Sequence, residues 1–211
     1  PLKHYGLIGY PLSHSFSATY FNNKFEFLGI DADYKPIELL QIGQIKTVIK
    51  RHALNGFNVT IPYKEKIIPY LDILDPIAKD IGAVNCVCVK NNVLHGYNTD
   101  YIGFEQSLQQ FLPTKQIKAL IFGNGGASKA IRYALQKLGI AYQLVTRKPS
   151  KDSITYEQLN RDLLHEYTLL INTTPVGTYP AIDEYLPIPY AWISSKHYAF
   201  DLIYNPTKTK F

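Results

Sequence analysis

Residues 118–138, KALIFGNGGASKAIRYALQKL, leave few choices of fold. The uninterrupted apolar run from Ala119 to Phe122 reads as a strand covered on both faces, as in a parallel sheet flanked by helices. A glycine-rich turn follows directly. Ala127, Ala130, Ile131, Ala134, Leu135 and Leu138 then recur at helical spacing and form one continuous apolar stripe. Gly139 closes that helix. Strand, glycine turn and helix in this order put backbone N–H groups where they can hold a pyrophosphate. Gly123 and Gly125 fill the first two positions of G-x-G-x-x-G, and Ser128 stands at the third. The alternative is a tight strand-to-helix turn that needs glycine only for its backbone angles.

The next strand, AYQLV, ends at Thr146, Arg147 and Lys148, with Lys151 close by. NAD-binding chains usually offer Asp or Glu there to the ribose hydroxyls. A carboxylate would repel a 2′-phosphate, whereas a guanidinium grips it with paired charge-assisted hydrogen bonds. The pattern therefore predicts NADP over NAD, against the alternative of solvated loop cations. Further strands are expected at YTLLINT and HYAFDLIY.

The first half also reads as α/β. HYGLIGYPL is a short strand, and a helix is expected from Ser13 to Gly29 with Ala18, Phe21, Phe25 and Leu28 near one face. ADYKPIEL and GFNVTIP read as strands around a helix at IGQIKTVIKRH, and NCVCVKNNVLHGYN as two strands around Asn91–Asn92. A helix carrying Phe104, Leu108, Phe111 and Leu112 leads to a break at Pro113. VTIPYKEKIIPY looks like a strand running into a helix, which would put Lys64 against the positive end of a helix dipole. An ammonium directed at a ligand would explain that cost.

A chain of 211 residues, 46% hydrophobic, can bury two cores, and the patterns divide it into residues 1–101 and 102–211. The formal charge, 22 minus 17 or +5, is scattered without a basic block, which argues against nucleic acid. Cys86 and Cys88 point the same way from one strand and read as reduced, buried thiols. No apolar run approaches a membrane span and no signal peptide is evident, so a cytoplasmic protein without a membrane partner is expected. None of the six histidines has metal-ligand spacing, so no metal site is expected.

The polar residues of the first half cluster at strand ends, where open α/β sheets bind ligands. PLSHSFS offers Ser15 and Ser17, NVTIPYK offers Asn58, Thr60 and Lys64, GAVN offers Asn85, and GYNTD offers Asn98, Thr99 and Asp100. Each alone also reads as a helix cap, a turn former or a solvated cation. Taken in order, these motifs, with GNGGASKA, INTTPVG and DLIYNPTKT, resemble the shikimate dehydrogenase family across essentially the whole chain.

The resemblance implies an N-terminal α/β substrate domain and a C-terminal Rossmann-type, doubly wound NADP domain with a cleft between them. It implies NADP-dependent interconversion of 3-dehydroshikimate and shikimate, on the route to chorismate and the aromatic amino acids, by a monomer or homodimer. Lys64 and Asp100 would be the catalytic pair. Ser15 and Ser17 would hold the substrate carboxylate with help from Tyr204, while Thr60 and Asn85 bond ring hydroxyls. Gly123, Gly125, Gly126 and Ala127 would take the pyrophosphate, Thr146 and Arg147 the adenosine ribose and its phosphate, and Thr174, Pro175 and Val176 would line the cofactor groove. Thr178 stands where many relatives carry Met. The family pattern also continues past PTKT into a segment that carries a substrate-binding glutamine, whereas this sequence stops at Phe211. A quinate/shikimate dehydrogenase with looser substrate and cofactor choice, and a dinucleotide-binding pseudoenzyme, are the alternatives.

Overall fold

Hydrophobic strands paired in parallel need crossover connections, and this chain supplies them twice over. The computed structural model describes residues 1–12, 15–112 and 116–211. The expected helix start at Ser13 and break at Pro113 lie outside the described residues. Two compact units are present, Pro1–Asp100 and Tyr101–Phe211.

In the first unit the elements run β1 (Lys3–Gly9), α1 (Ser17–Leu28), β2 (Ala32–Glu38), α2 (Ile45–Arg51), β3 (Leu54–Val59), β4 (Ile73–Leu74), α3 (Pro76–Ile81), β5 (Cys86–Lys90) and β6 (Val93–Tyr97). They form a sheet ordered β2-β1-β3-β5-β6-β4 among the described residues. β1 pairs in parallel with β2 and β3, whereas β5 runs antiparallel to both β3 and β6. Alternate residues of β1 serve opposite faces: Ile8 joins a core with Ile45, Val48 and Phe57, while Leu7 packs with Tyr34 beneath Phe21 and Phe25 of α1. Asn91 and Asn92 both take positive φ, 51° and 61°, in the two-residue turn between β5 and β6. This is the backbone that asparagine tolerates best after glycine.

Three local expectations are corrected here. No α-helix starts at Lys64. Residues 61–67 form successive turns, with a short 3-10 helix only at Ile68–Tyr70, so no helix dipole opposes the ammonium. The thiols are not both buried: Cys86 is half-buried and Cys88 exposed, because Val87 is the residue that β5 turns into the core. Leu28, expected on the apolar face of α1, is 53% exposed.

α2 ends in an unusual way, with Ala53 at φ 48° just past its C-terminus. Left-handed backbone costs an L-residue ~1–2 kcal/mol, and glycine returns ~0.5–1 kcal/mol of that as chain entropy. Ala53→Gly should therefore raise stability by ~0.5 kcal/mol, read as a higher denaturation midpoint at constant slope.

In the second unit α4 (Asp100–Phe111) begins at the boundary, followed by β7 (Ala119–Phe122), α5 (Gly126–Leu138), β8 (Tyr142–Thr146), β9 (Ser153–Thr155), α6 (Arg161–Glu166), β10 (Leu169–Asn172) and β11 (Tyr198–Asp201). The strand order is β11-β10-β7-β8-β9 with every pair parallel. This is the doubly wound Rossmann arrangement, and the chain reverses direction across the sheet between β7 and β10. All residues of β7 and β10 are buried, so their sequences show no polar alternation. HYAFDLIY is extended only as far as Asp201.

Candidate functional site

The first-unit motifs meet because of strand direction. Parallel pairing sends the segments after β1 and β3 out of the same sheet end, and antiparallel β5 begins where β3 and β6 finish. Ser15 and Ser17 follow β1, Thr60 and Lys64 follow β3, Asn85 precedes β5, and Asp100 follows β6.

Lys64 and Asp100 are brought into direct contact. Lys64 Nζ donates to Asp100 Oδ2 at 2.7 Å, with side-chain exposures of 16% and 29%. The other carboxylate oxygen accepts from Asn85 Nδ2 at 2.8 Å, and Asn85 Oδ1 accepts the Thr99 N–H at 2.8 Å. Buried Asn98 fixes the approach, with its Nδ2 donating to the Ala83 carbonyl and its Oδ1 accepting the Asp100 N–H. The Lys64 carbonyl accepts the Val84 N–H at 2.7 Å, which ties the lysine segment to the asparagine segment. A cation pinned to a carboxylate whose second oxygen is also engaged suits proton exchange with a bound hydroxyl.

Ser15 Oγ accepts the Ser17 N–H at 3.3 Å, just ahead of α1. Thr60 is held by its own N–H, which donates to the Ile8 carbonyl. At Gly9 an added Cβ would collide with the Thr60 side chain and the Ile61 carbonyl. The close approach of β1 to the segment after β3 therefore requires glycine. Beside the pair, burial pushes the Cys86 thiol up from its ordinary value, with smaller contributions from Cys88 and Asp100.

In the second unit the segments after β7 and β10 meet at the point where the sheet reverses. Gly123 takes φ 103°, and an added Cβ would lie 2.8 Å from Thr173 Oγ1 and 3.0 Å from Thr174 Cγ2. Gly123→Ala should cost ~1–3 kcal/mol of stability, read by thermal unfolding. Gly125 precedes α5, and an added Cβ there meets open space. Gly126 and Ala127 form the first turn of α5, whose leading N–H groups have no partner within the helix. Ser128, fully buried in that turn, has a hydroxyl without a hydrogen-bond partner among the described residues.

Thr146 holds the turn after β8, donating to the Lys148 carbonyl and pairing with Ser153. Arg147 and Lys148 beside it are exposed. Burial pushes the Tyr156 phenol up to about 12, against the opposing pull of the Arg147 charge. Thr174 donates through N–H and Oγ1 to Asn172 Oδ1, and Thr174 Oγ1 accepts the Val176 N–H. Pro175 is exposed and Val176 half-buried. Tyr204 belongs to this unit and is 64% exposed.

Sequence reasoning missed the residues that hold this loop. Fully buried Asn172 donates to Asp201 Oδ1 at 3.1 Å, and Asp201 also accepts from the Ile203 N–H and Thr209 Oγ1. The available signal was an amide closing the apolar run LLIN, since a buried amide must find partners. Asn172→Leu should leave the Asp201 carboxylate and the Thr174 donors short of a partner and cost ~2–3 kcal/mol in denaturant unfolding.

A parallel doubly wound sheet with a glycine turn at its switch point, alongside a unit carrying a lysine–carboxylate pair, defines the class as a two-domain α/β dehydrogenase. A family profile described as the shikimate dehydrogenase substrate binding domain matches residues 7–87. Shikimate dehydrogenase (NADP(+)) of Methanosphaera stadtmanae is 37% identical over 97% of this chain and 79% of its own length. The crystal structure of shikimate dehydrogenase 1 from Peptoclostridium difficile superposes with a TM-score of 0.87 at 40% identity, over 99% of this chain and 80% of that one. Shikimate 5-dehydrogenase from Thermus thermophilus, in complex with NADP(H) and shikimate, gives a TM-score of 0.82 at 30% identity, over 97% and 80%. The chain belongs to the shikimate dehydrogenase family.

Proposed function

We propose that the protein is an NADP-dependent oxidoreductase that interconverts 3-dehydroshikimate and shikimate, with Lys64 and Asp100 as its catalytic pair. The observation that carries the reading is the 2.7 Å contact between Lys64 Nζ and Asp100 Oδ2, at the sheet end where every polar motif of the first unit emerges.

The residues present fit the cofactor. An open cradle at Gly125 and an orphaned buried hydroxyl at Ser128 flank the helix start that would take the pyrophosphate through Gly123, Gly126 and Ala127. Thr146 and Arg147 would hold the adenosine ribose and its 2′-phosphate, and Thr174, Pro175 and Val176 would line the cofactor groove. Bound NADPH supplies the hydride.

In the direction of reduction, carbonyl carbon C3 gains a C–H bond and its oxygen gains a proton. Lys64 stabilises the charge that develops on this oxygen and delivers the proton; in oxidation it takes the proton back. Asp100 orients the ammonium and shares the proton. Ser15 and Ser17 hold the substrate carboxylate, and Thr60 and Asn85 the ring hydroxyls. Free thiols at Cys86 and Cys88 suit a reducing, cytoplasmic setting. Among the described residues no helix is long and apolar enough to cross a membrane, and no group of side chains could hold a metal ion.

The test is NADPH absorbance on mixing the enzyme with NADP and shikimate, quinate or no substrate. Turnover with shikimate well above quinate supports the reading. Equal rates on both substrates identify a relaxed quinate/shikimate enzyme, and cofactor binding without turnover identifies a pseudoenzyme.

A further inference from the structure

Tyr34 in β2 is 3% exposed, and the chemistry just described does not use it. Its ring stacks on Phe21 of α1 with centroids 4.7 Å apart. Asn22, the next residue of α1, clamps its backbone: the Tyr34 N–H donates to Asn22 Oδ1 at 2.8 Å, and Asn22 Nδ2 donates to the Tyr34 carbonyl at 2.9 Å. The phenol hydroxyl then donates to Asn58 Oδ1 at 2.8 Å. Asn58 Nδ2 donates to the Asn85 carbonyl at 3.2 Å, and Asn85 Nδ2 reaches Asp100 Oδ1. A continuous series of contacts therefore joins α1, whose N-terminal end carries Ser15 and Ser17, to the carboxylate that holds Lys64.

The direction of each bond follows from side-chain chemistry. An amide has one accepting oxygen and one donating nitrogen. With the phenol donating to its oxygen, Asn58 must turn its nitrogen toward Asn85. Without the phenol the amide oxygen loses its anchor, and the Asn58 nitrogen is held against the Asn85 carbonyl less firmly. Strand pairing would survive, because the Asn85 carbonyl also accepts the Val59 N–H at 2.9 Å. The loss would fall on the orientation of Asn85 and, through it, of Asp100.

We infer that Tyr34 is a positioning residue for the Lys64–Asp100 pair, acting through Asn58 and Asn85 and coupling α1 to the catalytic carboxylate. The inference rests on the function proposed above for that pair. Tyr34→Phe keeps the ring, its stacking and both backbone bonds, and removes a single oxygen. In shikimate oxidation kcat should fall ~5–10-fold while the shikimate KM moves less than ~2-fold. In the enzyme without substrate or cofactor, the Asp100 carboxyl carbon resonance, followed by NMR at fixed pH, should move from its wild-type position, because the Asn85 amide that donates to it is held less firmly. Adding Tyr34→Phe to Asn58→Leu should lower kcat no further, since both act along one route.

Unchanged kcat with an unmoved Asp100 resonance would overturn the inference, as would losses that simply add in the double variant. A fall in thermal stability alone, with kcat and the Asp100 resonance unmoved, would also overturn it and leave Tyr34 a packing residue. Absence of shikimate turnover in the wild type would instead defeat the proposed function, and the Asp100 resonance would still decide the role of Tyr34.

Discussion

Lys64→Ala is expected to lower kcat by ~10³-fold while changing the shikimate KM only a few-fold, the pattern of an interaction made mainly in the transition state. The fold should tolerate the change. Lys64 lies in a turn segment, and removing its ammonium does not orphan Asp100, whose Oδ1 keeps the Asn85 amide. Matching thermal unfolding curves for variant and wild type would establish that the loss is chemical. Asp100→Asn tests the other member of the pair. It keeps the shape and one accepting oxygen but removes the charge that orients the ammonium, and kcat should fall by ~10²-fold or more. If Lys64→Ala instead raised KM sharply and left kcat intact, the lysine would be a binding group and the proton would need another carrier.

Arg147→Asp carries the second large effect, on cofactor choice. The ratio of kcat/KM for NADP to that for NAD should fall ~10²-fold. A hydrogen bond to a charged group is worth ~1.5–3 kcal/mol, each ~1.4 kcal/mol is a factor of ten, and the new carboxylate adds repulsion against a 2′-phosphate. Arg147 is exposed, so the exchange should barely alter stability. Steady-state rates with both cofactors at saturating shikimate decide the matter, and an unchanged ratio would reduce Arg147 to a solvated loop cation. Lys148→Ala alone should produce a smaller shift, because a flexible point charge lacks the paired geometry of the guanidinium.

What could be read from residues alone was what neighbours in the chain decide. The buried run of β7, the stripe of α5 and the glycine stops at Gly29 and Gly139 are all set within a few residues, and both glycines take left-handed backbone at helix ends. Asn91 and Asn92 announced their turn in the same way. Short elements were overlooked although some carried signals: Asp75 caps α3 ahead of Pro76, and Asn160 caps α6. A six-residue helix has too little periodicity to stand out, and two-residue β4 has none.

The misreadings share one cause. In CVCV every residue counts as apolar, so the pattern could not reveal that Val87 faces the core while Cys88 faces outward; only the partners of β5 settle that. The charged run across Pro62 resembles a helix start, yet two of its carbonyls are drawn into long-range pairing, Ile61 with the Tyr10 N–H and Lys64 with the Val84 N–H, and the rest closes only local turns.

By itself the sequence determined the α/β class, the glycine turn on a Rossmann sheet and the set of side chains from which a dehydrogenase site is built, because these depend on local backbone preference and side-chain chemistry. Only the tertiary structure decided that Asp100 meets Lys64, separated by 36 positions, and that Asn172 and Asp201 brace the loop after β10. Such contacts depend on strand order and direction, which sum burial across the whole sheet, and no short stretch of chain encodes them.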